Sequence, residues 1–331
     1  MMDLISKAGN PVLASGLAFL LTGISIVLLL RFKEQLPLDH PNHRSMHFTS
    51  VPRTGGIAIL IGILIASGIV RPTGLVVLVM LAVALGAMFF FDDAHGLSVK
   101  IRLLTQLSAA AILIWTHAGI VGGVWVFILC ILTIAWTTNV YNFMDGSDGL
   151  AGGMTVFGFS AYAYGAWTAN ATDLAFLSAV IAGAGAGFLI FNFHPARIFM
   201  GDAGSIPLGF LAGGIGLIGW IDGVWPLGFP AVVFSPFLMD ATVTLAFRLL
   251  GRKLAWQAHR DHFYQKMILM GFGHQNTALV EYVVMLVCGI GGMFVLNSPE
   301  RQPAMIVIWV VGYAILLGFV EVVWRKRSAA V

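Results

Sequence analysis

Pro11-Val-Leu-Ala-Ser-Gly-Leu-Ala-Phe-Leu-Leu-Thr-Gly-Ile-Ser-Ile-Val-Leu-Leu-Leu30 carries no charge from end to end. It has the ~20-residue length at which an apolar helix crosses the hydrocarbon core of a bilayer. The run is too long for the apolar core of a secretory leader, and no small-residue cleavage site precedes the next polar stretch. It therefore reads as a retained first helix. Similar runs recur along the chain and predict spans at about 12–30, 55–70, 74–91, 103–118, 120–138, 151–168, 174–193, 205–220, 225–248, 278–296 and 304–324.

The composition agrees. The 331 residues are 59% hydrophobic and 10% charged, against about 25% charged in an ordinary soluble domain. The mean hydropathy is +0.91. A water-soluble fold of this length cannot hide so much apolar surface. In lipid every backbone polar group must be satisfied within the protein, so the expected fold is all-α. That fold is a polytopic transmembrane bundle of about eleven helices, read as a single integral membrane domain over residues 1–331. No internal repeat is visible, and no polar stretch is long enough for a soluble domain. Cys130 and Cys288 both lie inside apolar runs and read as small core residues. Pro226, Pro230 and Pro236 predict a bent or broken ninth span. The small residues from Ala182 to Gly187 predict a close helix approach.

Basic residues set the expected orientation. One alternating set of loops, with the tail Arg325-Lys-Arg327, holds all of the 18 Lys and Arg except Lys7, Arg71 and Arg301. The positive-inside rule makes that side cytoplasmic, with the N-terminus outside and the C-terminus inside.

The same side gathers five polar segments. They are Asp39 to His47 running on to Pro52-Arg-Thr-Gly-Gly56; Asp92-Asp93; Asn139-Val-Tyr-Asn-Phe-Met-Asp-Gly-Ser-Asp-Gly149; Phe199-Met-Gly-Asp-Ala-Gly-Ser205; and His259-Arg-Asp-His262. A channel or carrier more often places its polar residues within the spans. Here the chemistry is concentrated at one interface.

Asp92 and Asp93 follow Met88-Phe-Phe-Phe91 at a predicted helix C-terminus. Negative charge there opposes the helix dipole, so the pair calls for a metal or an ordered basic partner; a solvated helix end is the plain alternative. Asn139, Asn142, Asp145 and Asp148 recur every three residues and would share one side of a continuous helix. The two Asp-Gly steps also fit a turn that brings backbone close to a ligand. Oxygen ligands favour a hard cation, Mg²⁺ or Mn²⁺, over zinc. Asp202, between small residues, suits a metal bridging to phosphate, and Ser205 with the first amides of the next helix suits an anion. A plain helix N-cap by either side chain is the alternative. His259, Arg260 and His262 suit an anion or sugar; without a Cys or third His at suitable spacing they do not make a zinc site. Together these groups are the equipment of phosphoryl transfer, where positioning and charge neutralisation dominate.

These ordered motifs, from about Asp39 to His274, resemble the polyprenyl-phosphate N-acetylhexosamine-1-phosphate transferases (glycosyltransferase family 4), relatives of the phospho-MurNAc-pentapeptide translocase. The stretch Ala258-His-Arg-Asp-His-Phe-Tyr-Gln265 looks like the bacterial branch that initiates O-antigen or related surface glycans. It departs from the translocase's three-histidine motif, which points away from a MurNAc-pentapeptide donor. The resemblance implies a multi-pass enzyme of the inner (cytoplasmic) membrane. It would move a HexNAc-1-phosphate from a UDP-sugar, by default UDP-GlcNAc, to undecaprenyl phosphate, with Mg²⁺ and release of UMP. A UDP-N-acetyl-deoxyhexose is the alternative donor. The expected partners are these two substrates and the bilayer, without nucleic acid, and a homodimer is a candidate assembly.

Carried over motif by motif, Asp202 and Asn142 hold the metal and Phe199 stacks on uracil, with Asn139 beside the nucleotide. Asp145 and Asp148 order the nucleotide end. His259, Arg260 and His262 read the sugar. Arg44, His47, Arg53, Lys100 and Arg102 meet phosphates or the lipid head. Asp240 matches a recurrent acid whose role is open, with Arg248 as a candidate packing partner. The resemblance makes Asp92 and Asp93 bases toward the lipid phosphate. A phosphate monoester has a second pKa near ~6 and needs little deprotonation at cytoplasmic pH. The physical expectation is instead that Asp92 and Asp93 position Lys100 or Arg102, or belong to the metal shell. Three rivals are weaker. A transporter lacks its mid-span ionisable groups here, a scaffold has no use for one-sided motifs, and a lipid phosphatase lacks its nucleophile.

Overall fold

A computed structural model describes residues 10–39, 50–70, 72–120, 122–252 and 259–328. The chain is a helical bundle. Its helices are α1 (Pro11–Arg31), α2 (Gly55–Val70), α3 (Val76–His95), α4 (Val99–Ala118), α5 (Val124–Met144), α6 (Leu150–Thr168) and α7 (Thr172–Asn192). They continue with α8 (Asp202–Ile221), α9 (Gly228–Val233), α10 (Ser235–Leu250), α11 (Phe263–Met267), α12 (Gly273–Asn297) and α13 (Gln302–Ser328). Among the described residues, 8 helical stretches are long and apolar enough to cross a membrane. The first begins where the sequence provides a cap: Asn10 Oδ1 accepts the Val12 amide at 2.9 Å, and Pro11 fills the first helical position.

The predicted break in the ninth span is present. Residues 225–248 divide into α9 and α10 around Phe234, with Pro236 in the first turn of α10. A proline there leaves no donor wasted, whereas mid-helix it would remove one. The tenth span differs from expectation. Its polar approach is not all loop. Helix starts at Phe263 and passes through a π-helical turn, Ile268–Phe272, before α12. Gly271, at φ 95°, takes the left-handed conformation inside that kink.

Helix α8 is the axis of the bundle, buried almost throughout from Ala203 to Gly219. Its glycines admit neighbours at backbone distance. A Cβ on Gly209 would lie 2.7 Å from Thr138 Cα of α5. The small-residue run of α7 works as the sequence suggested: a Cβ on Gly187 would lie 2.5 Å from Phe19 O of α1, and one on Gly185 would lie 2.5 Å from Thr155 Cγ2 of α6. Outward faces keep large apolar side chains, such as Leu20, Ile24, Phe294 and Ile315, exposed as lipid contact requires. A two-residue antiparallel ladder, β1 (Leu38–Asp39) with β2 (Val51–Pro52), closes over one end of the bundle. The described parts of all five polar segments meet at that end.

Candidate active site

Two helix N-termini define the floor of the site. The Pro52-Arg-Thr-Gly-Gly56 turn enters α2, and the Phe199-Met-Gly-Asp turn enters α8. The two turns lie against each other as a short backbone ladder: Phe199 N donates to Pro52 O at 2.8 Å, Gly55 N to Phe199 O at 2.9 Å and Gly56 N to Met200 O at 2.9 Å. Only glycine fits at the crossing, because a Cβ on Gly204 would lie 2.6 Å from Gly56 Cα. Gly201 is the N-cap of α8 at φ 71°, without a side-chain cap bond. Asp202 is therefore the first helical residue and not a cap, and Ser205 returns its hydroxyl to Gly201 O at 3.2 Å. Both helix starts turn partial positive charge toward this end; the first amides of α2 are spent in the ladder, and those of α8 remain as donors.

Two helix C-termini supply the acids. Asp92 and Asp93 end α3, where the sequence demanded a cation, and each has an arginine. Arg102 Nε lies 3.1 Å from Asp92 Oδ2, and its Nη2 also pairs with Asp202 Oδ2. Arg53 Nη2 donates to Asp93 O at 2.9 Å, with its Nη1 3.7 Å from Asp93 Oδ1. The expected positioning partner is thus Arg102, while Lys100 is exposed. From the end of α5, Asn142 Nδ2 donates to Asp202 Oδ1 at 2.8 Å and Ser205 Oγ at 2.9 Å. The Asp145 carboxyl is pushed well above the usual carboxylate range by burial, then by the nearby Asp202 and Asp39 carboxylates. Asp93 Oδ2 is buried and accepts no hydrogen bond among the described residues.

A buried orphan acceptor and a carboxyl disfavoured by its like-charged neighbours both suit an added cation. The donors at hand are oxygen-bearing: Asp202, Asn142, Ser205 and Asp93. They fit a hard divalent ion better than zinc.

The four residues spaced by three do not share one side. Helix α5 stops at Met144, so Asp145 and Asp148 lie beyond it and the set diverges. Asn139 turns to α4, donating to Gln106 Oε1 at 2.6 Å. Asp148 is nearly buried among the loops. Its Oδ2 lies 2.7 Å from His194 Nδ1 and accepts the Ala196 amide at 3.1 Å, and its Oδ1 lies 3.9 Å from His274 Nδ1. The two imidazoles stack with centroids 5.6 Å apart. His194 and His274 escaped the sequence reading because no motif spacing connects them to Asp148.

The last segment is anchored from α10. Asp240 faces His262 and not Arg248, correcting the packing partner suggested above. Arg248 pairs with Asp261. His262 is buried, its Nδ1 3.0 Å from Asp240 Oδ1, whereas His259 and Arg260 are half-buried. The His259 imidazole is held down at about 4 by burial, then by the neighbouring His262 and the Arg248 guanidinium. Tyr264 reaches across to the last turn of α5, donating to Phe143 O at 3.3 Å. Phe199 is half-buried beside the ladder. Arg44 and His47 lie outside the described residues.

The family model described as glycosyl transferase family 4 matches residues 74–220. Among curated relatives, the chain is 28% identical to the probable undecaprenyl-phosphate N-acetylglucosaminyl 1-phosphate transferase of Bacillus subtilis, covering 88% of each chain. It is 27% identical to the decaprenyl-phosphate N-acetylglucosaminephosphotransferase of Mycolicibacterium smegmatis, covering 96% of this chain and 89% of the relative. It is also 27% identical to the phospho-N-acetylmuramoyl-pentapeptide-transferase of Moorella thermoacetica, covering 88% and 99%.

Proposed function

Because the chain belongs to glycosyl transferase family 4, we propose that it transfers an N-acetylhexosamine 1-phosphate from a UDP-sugar to undecaprenyl phosphate. A phosphate oxygen of the lipid attacks the β-phosphorus of the donor. The bond from that phosphorus to the bridging oxygen breaks, UMP leaves, and a lipid-linked pyrophosphoryl sugar remains. The polyprenyl acceptors and sugar phosphates in the relatives' names support the reaction class. The observation that carries the reading is the convergence of Asp202, Asn142, Asp92 and Asp93 with Arg53 and Arg102 at two helix N-termini.

Each residue then has work to do. Arg53 and Arg102 hold phosphate oxygens, and the first amides of α8 add donors that need no reorganisation. Asp92 aims Arg102. Asp202 and Asn142 would hold Mg²⁺, with Asp93 Oδ2 beside them; bound there, the ion neutralises the pyrophosphate and the departing UMP. Arg44, His47 and Lys100 add positive charge for the lipid phosphate. Asn139 supports the nucleotide side through α4. Asp145 and Asp148 shape the nucleotide loop, and Phe199 offers a ring to uracil. His259 and Arg260 read the sugar. The basic side is cytoplasmic, so the donor arrives from the cytoplasm and the acceptor from the inner leaflet of the inner membrane. The product would be the first lipid-linked sugar of a surface glycan such as O-antigen. A homodimer remains a candidate assembly.

The test is UMP release from purified protein given undecaprenyl phosphate with UDP-GlcNAc or a UDP-N-acetyl-6-deoxyhexose, with and without Mg²⁺. Metal-dependent UMP from one of these donors is expected. No UMP from any N-acetylhexosamine donor would reject the function. A lipid-linked sugar transporter, the reading from another class, would release none.

A further inference from the structure

Helix α11 is only five residues long, yet its first turn is held by one buried carboxylate. Asp240, 4% exposed on α10, accepts at Oδ1 from the Phe263 amide at 3.0 Å and from Thr244 Oγ1 at 3.2 Å, and it faces His262 Nδ1 at 3.0 Å. Its Oδ2 accepts the Tyr264 amide at 3.0 Å. His262 is the N-cap residue and forms a capping box with Gln265, and an aspartate on a different helix adds acceptors for the first two amides of α11, donors that would otherwise be orphaned in a buried place. Two turns further along α10, the buried Arg248 pairs with Asp261. The far end of the element is tied to α13: Lys266 Nζ lies 2.7 Å from Glu321 Oε2, and Arg327 donates to Met270 O. The segment 261–272 is therefore fastened at both ends to the two helices flanking it, and His259 and Arg260 emerge from its N-terminal end.

We propose that Asp240 is a positioning residue for donor recognition. Acting through His262 and the Phe263 and Tyr264 amides, it fixes the arm that carries His259 and Arg260 and that rests, through Tyr264, against Gly146 and Phe143 O. This rests on the proposed transferase reading, in which that arm reads the sugar. Asp240 touches no substrate in this account. Its carboxylate is consumed by four protein donors, so it has no free oxygen for a metal or a proton transfer. His262, expected from the sequence to face the sugar, instead belongs to the anchor.

The experiment pairs amide exchange with kinetics on Asp240→Asn and Arg248→Gln in the full-length protein. Exchange of the Phe263 and Tyr264 amides should quicken at least tenfold in Asp240→Asn. The KM for the UDP-sugar should rise about tenfold in both variants, while kcat and inhibition by UMP stay within about threefold. A general loss of structure would move all of these together. Unchanged exchange in Asp240→Asn overturns the anchor, whatever the transferase assay shows. Faster exchange with an unchanged donor KM overturns the role in recognition. Equal loss of UMP affinity and of Mg²⁺ dependence places Asp240 in the nucleotide–metal site and also overturns the proposal. Absence of UMP release from the unmodified protein would instead count against the transferase reading, and the exchange measurement would still test the anchor.

Discussion

Replacing Gly204 by Ala puts one methyl group where two helix starts touch. The new Cβ would lie 2.6 Å from Gly56 Cα and 2.5 Å from Met200 Cγ. Ordinary contact begins near 3.4 Å. Met200 can swing away, but Gly56 Cα is backbone and must retreat by about 0.8 Å. It is not free to do so alone, since the Gly55 and Gly56 amides are bonded to Phe199 O and Met200 O at 2.9 Å. The strain therefore moves α2 and α8 apart, carrying Asp202 away from Asn142 and Arg102. Displacement of a reacting group by about 1 Å costs on the order of 100-fold in rate, or about 2.7 kcal/mol of transition-state stabilisation. Overpacking adds about 1–3 kcal/mol to the loss of fold stability. The assay is UMP release with both substrates saturating, beside the melting temperature in detergent. Gly68→Ala on α2 is the control: among the described residues no neighbour lies within 4 Å of its Cβ position, so activity should be retained. Gly204→Ala with a rate within threefold of the unmodified protein would refute the claim that this crossing sets the position of Asp202.

Three further outcomes follow from the same geometry. Arg102→Gln removes the guanidinium shared by Asp92 and Asp202 and should lower kcat by about 10²–10³, the usual loss for one preorganised donor; Arg102→Lys should restore little, since a point charge cannot serve two carboxylates at Nε and Nη2. Glu321→Gln strands the mostly buried Lys266 ammonium and should cost about 1.5–3 kcal/mol, read as a lower melting temperature. His259 is held at about 4 in the folded chain, below the ~6.5 of an unfolded histidine. Between these values the unfolded chain binds a proton that the folded chain refuses, so stability falls as pH drops from about 6.5 towards 4. His259→Gln should flatten that part of a melting-temperature profile, and an unaltered slope would contradict the assignment.

Much of the fold is legible in the sequence because a bilayer imposes a single length and a single backbone solution on every span. The eleven apolar stretches all fall on helices, although α5 runs on to Met144, the ninth divides and the tenth is helical from as early as Phe263; even the break before Pro236 follows from the chemistry of its side chain. The site is legible in part. The unfavourable placement of Asp92 and Asp93 against a helix dipole correctly demands cations, and Arg53 and Arg102 are those cations. Periodicity misleads beyond Met144, where the helix ends. Asp148 consequently turns to His194 with His274, while Asn139, still inside the helix, turns to Gln106; both sets of partners come from tertiary contacts that local spacing does not encode. Asp240 illustrates the same limit. An acid within a span shows that it needs a partner, but only the packing of α10 on α11 reveals that its partners are amides more than 20 residues away.

The central claim is that one end of this bundle moves a sugar together with its phosphate. A donor labelled with ³²P on the β-phosphate and ¹⁴C in the sugar tests it directly, when incubated with undecaprenyl phosphate and Mg²⁺ and followed by extraction of the lipid. The account predicts both labels in the lipid fraction in equal proportion, unlabelled UMP in the aqueous phase, and neither label in the lipid for Asp202→Asn. Sugar label in the lipid without ³²P, with labelled UDP left in water, would contradict it.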